Sequence, residues 1–180
     1  LISVYHKDGL EPIIRALHRH GTALYSTGGT EAFIRGLGVP VTAVEALTDY
    51  PSILGGRVKT LHPAVHGGIL ARDTAPDQAD LAAQAIEPID LVVCNLYPFH
   101  ETIAQPDVTM AQAIEQIDIG GVTLLRAAAK NFARVIVVCD PHDYESLVAD
   151  LDAGTLDLAL ATTDIVGLRL DARVAALGLL

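Results

Sequence analysis

A chain of 180 residues, 51% hydrophobic and only 4% aromatic, is sized for one α/β domain with a core of Ala, Val, Leu and Ile. Its net charge of −10 leaves no general basic face and argues against nucleic acid as a partner. No run of about 18 apolar residues is present to span a membrane, and no charged-then-apolar leader precedes the first strand.

Leu1–Tyr5 reads as a short strand. Asp8 is placed to cap the helix that follows, with Glu11 as its capping-box partner. Leu10, Ile13, Ile14 and Leu17 give that helix an apolar stripe, and Gly21 closes it. Ala23–Tyr25 predicts a second strand, leading through Ser26-Thr27-Gly28-Gly29-Thr30 into a helix over 30–37 closed by Gly38. A strand, a Gly-Gly turn and a helix start bring free backbone N–H groups and the positive end of a helix dipole to one point. Such a point suits a phosphate, and the Thr27 and Thr30 hydroxyls can add to it. The same pattern also serves as a plain turn with an N-cap.

Val39–Thr42 predicts an edge strand. From 45 to 68 the periodicity is lost and two Gly-Gly pairs appear, which predicts a long functional loop. His62 and His66 have a metal-like spacing only on a helix. Pro63 and Gly67-Gly68 argue against a helix there, and no third ligand is evident, so no metal is expected. Ile69–Ala71 reads as a strand and 76–86 as an Ala-rich helix. Ile89–Tyr97 is continuously apolar, as a parallel strand buried on both faces requires, and Pro98 ends it. Thr109 opens a helix to about Gln116. A second Gly-Gly turn, Asp118–Gly121, precedes a helix over Val122–Asn131. Val135–Cys139 is a further buried strand, and Asp140-Pro141 opens a last helix to about Leu151.

This alternation predicts a three-layer α/β domain over 1–151, a parallel sheet with helices on both faces, followed by a tail at 152–180 with at most one docked helix. Ligands of such sheets bind beyond the strand C-termini, where Ser3, Thr27, Asn95 and Tyr97 fall. Cys94 and Cys139 lie in strand-like runs and read as reduced buried thiols, which points to the cytoplasm. The three lysines, Lys7, Lys59 and Lys130, all lie in segments singled out here, and could focus positive potential on one cleft.

Ser3-Val4 with Lys7 and Gly9-Leu10, Ser26–Thr30, Leu54–His62, Cys94–Phe99 and Ile117–Asn131 stand in the order of the blocks of a known family. From Leu1 to about Leu151 the chain resembles the IMP cyclohydrolase domain of the bifunctional purine-biosynthesis enzymes. The resemblance implies a methylglyoxal-synthase-like fold. It also implies closure of 5-formamidoimidazole-4-carboxamide ribotide to inosine monophosphate, with neither metal nor organic cofactor. The expected partner is a small purine ribotide. The family's transformylase domain is expected in the full-length protein and is not in this chain, and the sequence leaves monomer and homodimer open. Binding positions carried over are Lys7, Thr27, Gly28, Gly29, Thr30, Arg57, Val58, Lys59, Thr60, Cys94, Asn95, Asp118 and Ile119. Ser3 joins them by its place at a strand end, and Gly120 and Gly121 by their backbone amides. Catalytic roles fall on Lys59, Tyr97, Asp118 and Lys130. Tyr5-His6 departs from the Ser-Asp often found there in the family.

The residues themselves leave several roles open. Lys59 can polarise a formyl oxygen or clamp a phosphate. Asp118 can take a proton, orient a carboxamide or cap a helix. Tyr97 can donate to an oxyanion or be a half-buried aromatic at a strand end. At ~1.5 Å rise per residue Lys130 stands roughly 13 Å along its helix from Gly121. Its own position reads as a partner for the C-terminal dipole, and its catalytic role rests on the resemblance alone. Two rival readings share the fold. Methylglyoxal synthase lacks the Arg57–Thr60 block. A regulatory nucleotide-binding domain like that of carbamoyl phosphate synthetase needs the phosphate turn, but not Lys59, Tyr97 and Asp118 together.

Overall fold

Five short strands, Ile2–Ser3 (β1), Tyr25–Ser26 (β2), Thr42–Ala43 (β3), Leu91–Cys94 (β4) and Ile136–Val138 (β5), pair in the order β3-β2-β1-β4-β5. All four pairings are parallel. The register sets Ile2 beside Ser26 and Val93, and Leu91 beside Ile136. The computed structural model describes residues 1–155, so most of the tail expected at 152–180 lies outside the described residues.

Between the strands run Leu10–Arg19 (α1), Gly28–Gly36 (α2), Val44–Thr48 (α3), Pro63–Leu70 (α4) and Ala75–Ala83 (α5). Phe99–Ile103 (α6), Met110–Glu115 (α7), Gly120–Lys130 (α8) and Tyr144–Ala153 (α9) follow. Successive strand residues face opposite sides. Val92, Cys94 and Val137 therefore meet α3, α4 and α8, through Val44, Val65, Ile69 and Leu124. Ile2, Val93, Ile136 and Val138 meet α1, α2 and α9, through Ile13, Ile14, Ile34 and Leu147. Both faces of the central strands are buried, which is why they read as unbroken apolar runs. The architecture is the three-layer α/β arrangement read from the sequence, with β3 at an edge.

Several local readings are corrected. Asp8 does not cap α1; Gly9 stands there in the left-handed region, at φ 70°, with no side-chain cap. The stretch 45–68 is not one loop. It holds α3, a 3-10 turn at Leu54–Gly56 and α4. Pro63 is the first residue of α4, where its missing N–H costs nothing, and His62 caps it, Nδ1 accepting from the Ala64 N–H at 3.2 Å. Gly68 is inside α4 because the helix packs against the 87–89 segment without room for a side chain. A Cβ there would lie 2.5 Å from the Glu87 carbonyl oxygen. Ile69 and Leu70 end this helix and Ala71 follows it, so no strand forms at 69–71. The strand at 89–97 is confined to Leu91–Cys94, because its neighbours β1 and β5 stop at Ser3 and Val138.

The C-terminus of α4 is satisfied from a distance. Asn131 Nδ2 donates to the carbonyls of Ile69 at 2.7 Å and Ala71 at 2.9 Å. The buried Arg134 donates to the carbonyls of Ala71 at 2.7 Å, Gly68 at 2.5 Å and Ile89 at 3.1 Å, and to Asp90 Oδ1 at 2.6 Å. A guanidinium at a helix C-terminus meets both its orphan carbonyls and its dipole. Among the described residues no helix is long and apolar enough to cross a membrane.

Candidate active site

At the C-terminal edge of the sheet lies a cavity of about 850 Å³. Its walls come from the ends of β1, β2 and β4, the 55–60 loop, and the segment from Ile114 to the start of α8. Two helices begin in or beside it, each with a Gly-Gly pair, and the two starts differ.

At α8 the site is already filled. Asp118 Oδ1 accepts the Gly121 N–H at 2.7 Å and Oδ2 accepts the Tyr97 N–H at 3.3 Å. The carboxylate thus sits where the helix dipole favours an anion. Gly121 is required by this closeness: a Cβ there would stand 2.7 Å from Asp118 Oδ2 and 2.8 Å from Leu96 Cδ2.

At α2 no carboxylate intervenes; two ammonium groups stand there instead. A Cβ on Gly28 would lie 2.8 Å from Lys59 Nζ, and one on Gly29 3.9 Å from Lys7 Nζ. Gly28 has φ 47°, which opens the turn and leaves the Cβ space to the lysine. Thr30 does not face a ligand with its hydroxyl. Its Oγ1 donates to the Val4 carbonyl at 2.9 Å and accepts the Val4 N–H at 3.1 Å, tying α2 to the end of β1. Thr27, the first residue before α2, makes no side-chain cap.

The 57–60 loop is held from both sides. Thr60 is buried at 6% exposure, and a Cβ on Gly120 would stand 2.8 Å from its Oγ1. Behind it, the half-buried His66 ring has its pKa lowered from 6.5 by burial, while a hydrogen bond with the Thr60 backbone pulls the other way. A histidine neutral in the fold takes up its proton more readily when unfolded. Its contribution to stability is present above about pH 6.5 and is lost as pH falls below that value. Urea melts at pH 7.5 and 5.5 should show lower stability at pH 5.5, with the difference reduced in His66→Gln. An equal difference in the variant would place the effect elsewhere. Asp77 and Asp152, whose pKa values are depressed by Arg72 and Arg19 respectively, titrate below this window.

Across the mouth Arg57 forms an ion pair with Glu115, both side chains largely exposed. The Tyr97 ring lies edge-on to Tyr5, centroids 5.4 Å apart. Burial, then Asp118, Glu115 and Tyr5, push the Tyr97 pKa above 10, so this phenol keeps its proton. Burial and Asp118 likewise push the Cys94 thiol up, and its Sγ rests 3.9 Å from the Gly121 carbonyl as a protonated group. Asn95 spends its side chain on the segment that follows β1: Oδ1 accepts from Tyr5 and His6, and Nδ2 donates to the His6 carbonyl.

The cavity thus gathers Ser3, Lys7, Thr27, Gly29, Thr30, Arg57, Lys59, Thr60, Cys94, Asn95, Tyr97, Asp118, Ile119, Gly120 and Gly121 from the expected set. Gly28 adjoins it through Lys59, while Val58 is not on its wall. Lys130 is not brought to it either; it ends α8, exposed, at the pole opposite Asp118. Tyr5, Ile114, Glu115 and Ile117 line the cavity without being among the site residues expected from the sequence. The only signal for Tyr5 is its departure from the family pattern. Glu115 has none, since its part depends on an ion pair 58 positions away. His62 and His66 gain no third ligand among the described residues.

The MGS-like domain family matches residues 9–123. The bifunctional purine biosynthesis protein PurH of Thermosynechococcus vestitus is 61% identical over 153 residues, covering 84% of this chain and 30% of that protein. PurH of Chloroflexus aurantiacus is 56% identical over 160 residues, 88% of this chain and 31% of that protein. The chain therefore spans about a third of the length of these curated relatives. A solved structure described as the crystal structure of ForH superposes with a TM-score of 0.82 at 38% identity, covering 97% of this chain and 91% of that one. With its parallel sheet, its two glycine helix starts and these relatives, the chain belongs to the MGS-like domain family.

Proposed function

We propose that the chain is an IMP cyclohydrolase, closing 5-formamidoimidazole-4-carboxamide ribotide to inosine monophosphate with loss of water. The observation that carries this is the polarity of the cavity. A cationic, open helix start lies at one end, and a carboxylate beside a protonated phenol at the other.

The ribotide phosphate binds at Gly28 and Gly29, between Lys7 and Lys59. The base then reaches toward Tyr97 and Asp118. The carboxamide nitrogen attacks the formyl carbon, and a C–N bond forms as that nitrogen gives up one proton. Asp118 receives it, while the Tyr97 phenol donates to the oxygen, giving a carbinolamine hydroxyl. The C–O bond then breaks as Asp118 passes its proton to the hydroxyl, and the formamide nitrogen gives its proton to the Tyr97 phenolate as the C=N bond forms, which returns both residues to their starting states. Two protons leave nitrogen and two arrive on oxygen, so the hydroxyl departs as water. Residues of this chain suffice for both transfers.

Incubation with the formylated ribotide should yield inosine monophosphate on chromatography, whereas the unformylated ribotide with a formyl-folate should yield none. No nucleotide from the first incubation removes the reading. Lys59 stands with the phosphate end, so Lys59→Ala should raise KM about 10- to 100-fold, the loss of one charge-assisted hydrogen bond, with kcat within about threefold. A kcat loss of tenfold with KM unchanged would instead put Lys59 at the formyl oxygen.

A further inference from the structure

We propose that Tyr5 is a positioning residue for ring closure, holding the Tyr97 phenol in its donating orientation. This rests on the cyclohydrolase reading of the cavity.

Tyr97 lies beyond the end of β4 with 48% of its surface exposed, and its backbone is tied through its N–H to Asp118 Oδ2. A half-exposed ring beyond a strand end has several staggered side-chain orientations open to it. A proton donor to one developing oxyanion needs a single orientation. The ring against it is Tyr5, edge-on, with an interplanar angle of 60°. Edge-to-face contact is a favoured arrangement of two aromatic rings.

Tyr5 can serve as a stop because its own backbone is tied on both sides. Its N–H donates to Asn95 Oδ1 at 2.6 Å, and its carbonyl accepts from Lys7 Nζ at 3.1 Å. The next residue repeats the anchorage: the His6 N–H donates to Asn95 Oδ1 at 3.1 Å, and its carbonyl accepts from Asn95 Nδ2 at 2.9 Å. Asn95 directly follows Cys94, the last residue of β4, so the sheet fixes the anchor. The line of support runs from β4 through Asn95 to Tyr5 and on to Tyr97. The same lysine that faces the α2 start also holds the Tyr5 carbonyl, which links the phosphate end to the aromatic pair.

A ring that acts through Tyr97 differs from one that binds substrate in what its removal changes. Tyr5→Ser should lower kcat about tenfold with KM within about threefold, and Tyr5→Phe, which keeps the ring, should restore kcat to within about twofold of the parent. The double variant Tyr5→Ser/Tyr97→Phe should be no slower than Tyr97→Phe alone, since the support has nothing left to hold. A ligand-free measurement accompanies these. With carbon-13 tyrosine, the Tyr97 ring resonances, assigned by their loss in Tyr97→Phe, should shift in Tyr5→Ser and stay near their parent positions in Tyr5→Phe. A rise in KM at unchanged kcat, additive losses in the double variant, or Tyr97 resonances indifferent to Tyr5→Ser would each overturn the proposal. Should the parent protein fail to close the formylated ribotide, the cyclohydrolase reading fails, and the resonances alone decide whether Tyr5 holds Tyr97.

Discussion

Asp118→Asn is expected to lower kcat by about 10²- to 10⁴-fold, the range over which a positioned acid or base contributes. The carboxylate has one task in the structure and another in the proposed reaction, and the amide fails both. As a base it has no substitute, because Asn cannot take a proton at neutral pH. As an acceptor it serves two N–H groups at once, those of Gly121 and Tyr97. Asn offers one oxygen, so one of those N–H groups would face an NH₂. The variant should still fold, as the carboxylate is tied to the helix start rather than to the core, and far-UV circular dichroism should be unchanged. Steady-state kinetics decide the matter: a loss below tenfold in a folded variant assigns the proton transfer to another group.

Arg134→Ala should have the largest effect on stability, about 2–4 kcal/mol, the cost of leaving three buried carbonyls each short of a donor. That corresponds to a fall in Tm of about 10 °C for a domain of this size. The guanidinium is 8% exposed and serves the carbonyls of Gly68, Ala71 and Ile89 together with Asp90. Without it the three carbonyls stay buried with fewer donors, while the exposed Asp90 carboxylate turns to water. Arg134→Lys should recover less than half of the loss, because one ammonium cannot reproduce the planar fork. Thermal and urea melts of both variants test this; a Tm within 3 °C of the parent for Arg134→Ala would show that water replaces the donors. The substitution lies away from the cavity wall, so the folded fraction should keep its kcat.

The periodic parts of the fold were legible because their signals are local. The stripe of Leu10, Ile13, Ile14 and Leu17 is wholly buried in α1, and the apolar runs around Val92 and Val137 are β4 and the edge strand β5, each buried on both faces. Thr109 and Gln112 form the capping box that opens α7. What escaped were elements held by distant partners. The helix α4 looks broken by Pro63 and by Gly67-Gly68, yet Pro is harmless at a first position, and the glycines answer to packing against Glu87 and Ile86. The part of Arg134 is not legible, because nothing near it in sequence shows that it closes a helix more than sixty residues earlier. In the site, Gly28-Gly29 was legible as the phosphate turn and Lys7 and Lys59 as cations near glycines, but that the second Gly-Gly start is closed to a ligand anion was not. That follows from Asp118, which fills one start and leaves the other to the lysines. Thr30 shows the reverse case: its hydroxyl, apt for a ligand by sequence, is used by Val4.

The ion pair of Arg57 and Glu115 makes the entrance sensitive to ionic strength in two opposite senses. Exposed pairs of this kind contribute roughly 0.2–1 kcal/mol and weaken as salt is added. Added salt therefore loosens the entrance. The same salt shortens the reach of the Lys7 and Lys59 field to about 8 Å at physiological strength, so an anionic ligand such as the proposed ribotide is drawn in from less far. In a chain of net charge −10, that local field works against a repulsive background that salt also screens. The on-rate of substrate is thus a balance of gate, lure and background, and it need not fall steadily with salt as it does for a simple basic cleft.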